Sequence, residues 1–194
     1  MAIIQSDIDI DVADREQLLK LINTTNAAIR KNNIVKKHPT GVYITDIPYD
    51  PINDLCALDY EVAEERGYFK LDLLNVHVYS LVRDEKHLEL LMKEPNWNRL
   101  YEKDFVEKLI HINSQFNTLC KMPDPVNSIP RLAMFLAVIR PGKRHLIGKT
   151  FSEIAKTVWN KNTDGYYFKK SHSISYANLV VVHMNLLEES HLFN

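Results

Sequence analysis

From Asp7 to Val12 the chain alternates acid and aliphatic residues without a break, within the segment IIQSDIDIDV over Ile3–Val12. That period of two is the pattern of a β-strand with one apolar face and one carboxylate face. Asp7, Asp9 and Asp11 then share a face, and like charges at that spacing repel unless a cation stands among them. A further acid, Asp72, ends a second apolar run, Tyr68-Phe-Lys-Leu-Asp72. Carboxylates on neighbouring strands are what metal-assisted phosphoryl transfer needs: hard oxygen ligands that hold one or two Mg²⁺ ions against the attacking and leaving oxygens. The residues alone leave a plainer alternative open, because an exposed strand face also carries acids.

Around these strands the punctuation is clear. Asp14 is placed to cap a helix whose stripe of Leu18, Leu19, Leu21, Ile22 and Ile29 runs to about Lys31. A basic turn, Lys36-Lys37-His38-Pro39, leads into a second strand at Gly41–Thr45, and Pro48 and Pro51 mark a loop. Asp59–Arg66 suits a short helix ended by Gly67, ahead of the third strand at Tyr68–Asp72. Beyond Asn75 the pattern is helical over roughly 76–93, 97–110, 126–139, 149–159 and 172–187, with Pro141-Gly142 and Asp164-Gly165 as breaks. The fold class expected is α+β: a small sheet backed by helices over 1–94, followed by a mainly helical region over 95–194, packed as one unit.

Charge is distributed unevenly. Met1–Asp72 holds 13 acids against 8 bases, whereas Arg140–Lys170 holds 8 bases against Glu153 and Asp164. One half is suited to cations and the other to phosphates, although solvated surfaces produce the same counts. A net charge of −1 speaks against a protein that coats nucleic acid nonspecifically. Cys56 and Cys120 have no metal-ligand spacing. The longest apolar run, Ala133–Ile139, is too short to cross a bilayer, and the start of the chain lacks a signal-peptide pattern. The expected location is therefore the cytoplasm, with no membrane partner.

Taken in order, several segments resemble those of the catalytic alpha subunit of bacterial DNA polymerase III, the C-family replicases. Ser6-Asp-Ile-Asp-Ile-Asp11, with Asp14-Arg15 after it, is similar to the family's Pro-Asp-x-Asp-x-Asp palm strand. Lys37-His-Pro-Thr-Gly-Val-Tyr-Ile44 resembles its Lys/Arg-His-Ala-x-Gly-Val-Val-Ile segment, and Leu58–Leu74 resembles the stretch ending in Lys-x-Asp-Phe-Leu. Leu132–Gly142, LAMFLAVIRPG, is similar to an Ala-Leu-x-Arg-Pro-Gly stretch, and Phe168–Ala177 to Phe-Asn-Lys-Ser-His-Ala-x-Ala-Tyr-Ala. The resemblance implies a nucleotidyltransferase palm in which Asp9, Asp11 and Asp72 are catalytic and hold Mg²⁺ or Mn²⁺.

Two basic clusters then fall into place as candidate nucleotide or phosphate ligands. Arg140, Lys143 and Arg144 follow an apolar helix, where Arg can fork onto two oxygens. Lys169, Lys170, Ser171 and His172 lie at the start of the last helix, whose free N–H groups also favour anions. Lys37, His38 and Lys70 join them, with offsetting of nearby acids and a structural turn as their plainer roles. His77, His111 and His183 are read as packing or hydrogen-bonding residues. The family's upstream Gly-Ser segment is not among the six residues before Asp7, and most of the fingers and clamp-binding regions have no counterpart. The expectation is a much shortened form, of the kind a phage encodes: a minimal Mg²⁺-dependent nucleotidyltransferase or short-patch DNA polymerase-like protein acting on nucleic-acid ends or nucleotides, with DNA or a nucleotide triphosphate as its partner. Its alternative is a non-catalytic polymerase-derived module that binds DNA or a replication protein, and a trimmed palm with uncovered apolar faces would also favour a homo-oligomer.

Overall fold

The computed structural model describes residues 8–31, 34–161 and 168–192. Ser6, Asp7 and the Asp164-Gly165 pair lie outside the described residues. The chain is α+β and divides into two compact units, Met1–Leu81 and Val82–Asn194.

The first unit is built on a mixed sheet of β1 (Ile8–Val12), β2 (Thr25–Lys31), β3 (Ile34–Tyr43) and β6 (Leu71–Asn75), in the order β1-β6-β3-β2. β1 and β6 run parallel, and β3 is antiparallel to both of its neighbours. A two-stranded hairpin, β4 (Tyr49–Asp50) with β5 (Leu55–Cys56), and two helices, α1 (Arg15–Leu21) and α2 (Tyr60–Glu65), complete it. Asp14 caps α1 by accepting the Gln17 N–H at 3.0 Å, and Asp59 caps α2 by accepting the Glu61 N–H at 3.0 Å. The left-handed Gly67 (φ +86°) closes α2, with the Tyr68 N–H donating back to the Ala63 carbonyl. Arg30 on β2 ties these parts together. Its backbone N–H donates to Asp59 at 2.7 Å, and its guanidinium reaches Asp50 at 2.7 Å and the Cys56 carbonyl at 3.0 Å. The Arg30 guanidinium and Asn53 hold the Asp50 carboxyl down at about 2.

Three sequence expectations shift here. The helix expected to run to Lys31 stops at Leu21, and Thr25–Lys31 is strand instead. Asn23, Thr24 and Thr25 are poor helix formers, and as a strand the segment packs Ala27 and Ala28, both fully buried, with Tyr43, Leu55, Cys56 and Ala63. The basic turn and the strand after it form one strand, Ile34–Tyr43, interrupted by a bulge. Asp72 lies near the start of its strand, Leu71–Asn75, rather than at the end of one beginning at Tyr68.

The second unit, which contains no strand among its described residues, is a stack of helices: α3 (Glu85–Leu91), α4 (Lys103–Val106), α5 (Phe116–Leu119), α6 (Ile129–Val138), α7 (Phe151–Ile154) and α8 (Lys170–Leu192), with 3₁₀ turns at Trp97–Tyr101 and Pro141–Leu146. The boundary between the units falls at Leu81, ahead of the position expected near 94. The single helix expected over 76–93 is split: a 3₁₀ turn at His77–Leu81 ends the first unit, and Asp84 caps a fresh helix by accepting the His87 N–H at 2.8 Å. That helix is pinned to α8, where His87 Nε2 meets both Glu189 oxygens and the Asn185 amide donates to the Leu91 and Lys93 carbonyls. α6 packs on α8 through Leu132, Phe135, Leu136 and Val180, and the fully buried Ser173 hydroxyl donates to the Ala133 carbonyl at 2.6 Å. No helix among the described residues is long and apolar enough to cross a membrane.

Candidate functional site: the carboxylate face of the sheet

Register brings the acids together. β1 and β6 pair Asp9 directly with Asp72, and Asp11 with Leu74. Register partners on parallel strands point the same way, and residues two apart on one strand share a face, so Asp9, Asp11 and Asp72 all lie on one side of the sheet. Strands sit about 4.8 Å apart, so Asp9 and Asp72 are immediate neighbours across the β1–β6 pair. Asp9 is exposed, Asp11 half-buried and Asp72 buried.

Asp72 owes its surroundings to the bulge in β3. Between the pairs Asn26–Val42 and Ala28–Lys37, four residues of β3, His38 to Gly41, stand opposite Ala27 alone. Pro39 contributes to this because it cannot donate to a ladder. The bulge turns Thr40 toward β6, where its hydroxyl donates to Asp72 Oδ1 at 2.6 Å. Gly41 pairs with Asp72 across the β3–β6 ladder. A Cβ on Gly41 would lie 2.7 Å from Lys70 Cδ and 2.9 Å from His38 Nδ1, so only glycine leaves room for both. His38 Nδ1 accepts the Gly41 N–H at 2.9 Å, which assigns a neutral ring's proton to Nε2. The same Nδ1 stands 3.6 Å from Asp72 Oδ1 and, with its lone pair occupied, is no donor to it.

Lys70, two residues before Asp72 on the same face, places its ammonium on Asp72 Oδ2 and over the Tyr60 ring. Burial alone would raise the Asp72 pKa, but the Lys70 ammonium and the Thr40 hydroxyl outweigh it and hold the carboxyl below its ordinary 3.8. Asp72 is therefore ionised and already compensated by a cation belonging to the chain itself.

An all-oxygen set of three aspartates on one face is the donor chemistry that suits Mg²⁺ or Mn²⁺. The side chains are arranged differently. Among the described residues no three His, Cys, Asp or Glu side chains form a group that could hold a metal ion, and the positive charge beside Asp72 is the Lys70 ammonium. The backbone fits a metal site, while the side chains form an ion pair that a metal would have to displace.

The basic candidates divide. His38 and Lys70 gather around Asp72, whereas Lys37 is exposed, paired with Ala28. In the second unit Lys143 is only 8% exposed and donates to the Asn160 carbonyl at 2.7 Å and the Thr157 carbonyl at 3.3 Å, so its ammonium serves the chain rather than a ligand. Arg144 is exposed, its Nε 3.4 Å from the Ile139 carbonyl. Arg140 lies over the Phe168 ring at 4.8 Å. Lys169 is half-buried, Lys170 and Ser171 are exposed, and Ser171 lies within α8 rather than capping it. His172 packs edge-on to Phe168 and tilts against Tyr176 at 4.3 Å.

Two members of that aromatic group, His111 and Tyr176, were not singled out as site residues from sequence. Their rings stack 4.2 Å apart. His111 adopts a left-handed backbone (φ +65°), and burial, with help from Arg140 and His172, pushes its pKa down to about 4. Only the histidines inside the motif gave a sequence signal. His183 accepts the Ile110 N–H at 3.1 Å, a hydrogen-bonding role of the kind expected. No protein-family model, no curated protein and no solved structure matches this chain.

Proposed function

We propose that this protein is a palm-type nucleotidyltransferase, using Mg²⁺ or Mn²⁺ and acting on nucleic-acid ends or nucleotide triphosphates in the manner of a short-patch DNA polymerase. One observation carries the reading: the parallel register that sets Asp9 beside Asp72, with Asp11 on the same face. An alternating acidic strand on a random surface has no reason to pair with a third acid at that position. The order of the polymerase-like motifs supports the same reading. A bound divalent ion would supply electrostatic stabilisation to the attacking and leaving oxygens of the phosphoryl group. The chain's own contributions are separate. Asp9, Asp11 and Asp72 would be its ligands, Thr40 fixes the orientation of Asp72, and Lys70 keeps that carboxylate neutralised until the ion arrives.

A second reading is favoured by the saturation of Asp72 by Lys70 and of Lys143 by backbone carbonyls. On it, the motif residues are retained for structure and the chain binds DNA or a replication protein without chemistry. One assay separates the two. Full-length protein is incubated with labelled primer–template or single-stranded DNA, deoxynucleotide or ribonucleotide triphosphates, and Mg²⁺ or Mn²⁺, beside Asp9→Asn and Asp72→Asn. Nucleotide transfer by the wild type that falls about a hundredfold or more in both variants supports catalysis. No transfer on any substrate, with DNA retention equal in all three proteins, selects the second reading.

A further inference from the structure

Arg15 is used by neither the acidic face nor the basic motifs. As the first residue of α1 it comes three positions after the last residue of β1, and its backbone N–H donates to Asn75 Oδ1 at 3.3 Å. Val12 pairs with Asn75, and the Val76 N–H donates to the Val12 carbonyl at 2.8 Å. Arg15 therefore stands where both parallel strands end.

The Arg15 side chain is only 9% exposed. Its Nη1 lies 3.5 Å from Glu16, whose own side chain is mostly in solvent. Nε and Nη2 are buried and meet no acceptor among the described residues. Those two nitrogens send parallel N–H bonds from one edge of the guanidinium, the fork that grips two oxygens of a single phosphate or carboxylate. Arginine cannot shed its proton to relieve burial, and Glu16 reaches only Nη1, so the Nε–Nη2 edge has lost its water without gaining an acceptor. A buried polar group left unpaired in this way calls for a partner.

We propose that Arg15 is a phosphoryl-binding fork at the carboxyl end of β1 and β6, taking two free oxygens of a phosphate group. The choice of phosphate over carboxylate rests on the nucleotidyl-transfer reading, since Arg15 lies four residues after Asp11 on the same connection. The phosphate belongs either to a nucleotide's polyphosphate or to a nucleic-acid backbone. Exclusion of water at the fork strengthens the charge-assisted bonds once oxygens are in place.

The test uses the full chain in EDTA, with inorganic tripolyphosphate and a 5′-hydroxyl single-stranded oligonucleotide as separate calorimetric probes. Wild type is expected to bind at least one of them. Arg15→Lys keeps the charge but loses the fork, and should bind that probe about tenfold more weakly. The probe that weakens identifies the source of the phosphate. Because both probes are titrated without metal, failure here leaves metal-dependent transfer untouched, and failure of transfer leaves the fork. The Arg15 Nε–H resonance of the wild-type chain reads the same contact without any variant, should Arg15→Lys fold poorly. Binding of neither probe, equal binding by a folded Arg15→Lys, or a resonance unmoved at saturation overturns the proposal.

Discussion

Replacing Lys70 by Met removes the cation from Asp72 while keeping most of the stem that packs on Tyr60. In the wild type the two charged side chains are 15% and 9% exposed, so this is a largely buried pair. Deleting one partner of such a pair costs roughly 3–5 kcal/mol because the other charge is stranded. Two features soften that. Asp72 keeps the Thr40 hydroxyl, and it can take up a proton at about 1.4 kcal/mol per unit of pKa difference. We therefore expect Lys70→Met to lose about 2–4 kcal/mol at pH 7 in EDTA. Lys70→Met with Asp72→Asn should recover most of the loss, because no charge is then left without a partner. Adding Mn²⁺ to Lys70→Met at about a hundred times its dissociation constant should return roughly 2.7 kcal/mol. Urea unfolding followed by circular dichroism, with hydrogen exchange over residues 68–76 to localise the change, measures all three. Stability of Lys70→Met within about 0.5 kcal/mol of wild type, or a double variant as unstable as the single one, would refute the reasoning.

Gly41→Ala should cost about 1–3 kcal/mol, since the new methyl drives into Lys70 Cδ and His38 Nδ1, both held by their own partners; equilibrium unfolding checks it, and a neutral effect would show the bulge is looser than its contacts imply. Lys143→Met should lower stability by about 1–3 kcal/mol through the Asn160 and Thr157 carbonyls it leaves, while oligonucleotide binding, read by fluorescence anisotropy, stays unchanged. His111 has its pKa depressed from 6.5 to about 4 by burial, Arg140 and His172, so its contribution is complete above pH 6.5 and is lost as pH falls toward 4. The Tm should accordingly drop over that window, and His111→Asn, which also suits the left-handed backbone, should flatten the drop to the share left by His183. For Asp72, held below 3.8, the loss comes only at lower pH still, and it should vanish in the Lys70→Met, Asp72→Asn double variant.

The acidic strand was legible because period-two alternation is a local property, and Asp14, Asp59 and Gly67 announced the helix ends through capping chemistry that acts within a few residues. What lay beyond the sequence is long-range. Thr25–Lys31 carries Ile29 at a spacing that extends the preceding helical stripe, and only its pairing with β3 makes it a strand. Read from sequence, Lys70 could offset any nearby acid, and only the fold sets it on Asp72, where the β3 bulge also brings the Thr40 hydroxyl. Lys143 reads as a free cation in a basic stretch, yet the fold surrounds it with the carbonyls of residues 14 and 17 positions away. His111 read from sequence only as a packing or hydrogen-bonding residue, because its left-handed backbone and its stack on Tyr176 depend on residues far apart in the chain.

The central claim is that the facing Asp9 and Asp72 form a cation site. A crystal of the full chain soaked with Mn²⁺ and a nonhydrolysable nucleotide triphosphate tests it directly. An anomalous peak within about 2.0–2.6 Å of oxygens from both Asp9 and Asp72, with Lys70 moved off Asp72, is the predicted result. Manganese absent from that face at saturating concentration, with Lys70 still on Asp72, would contradict it.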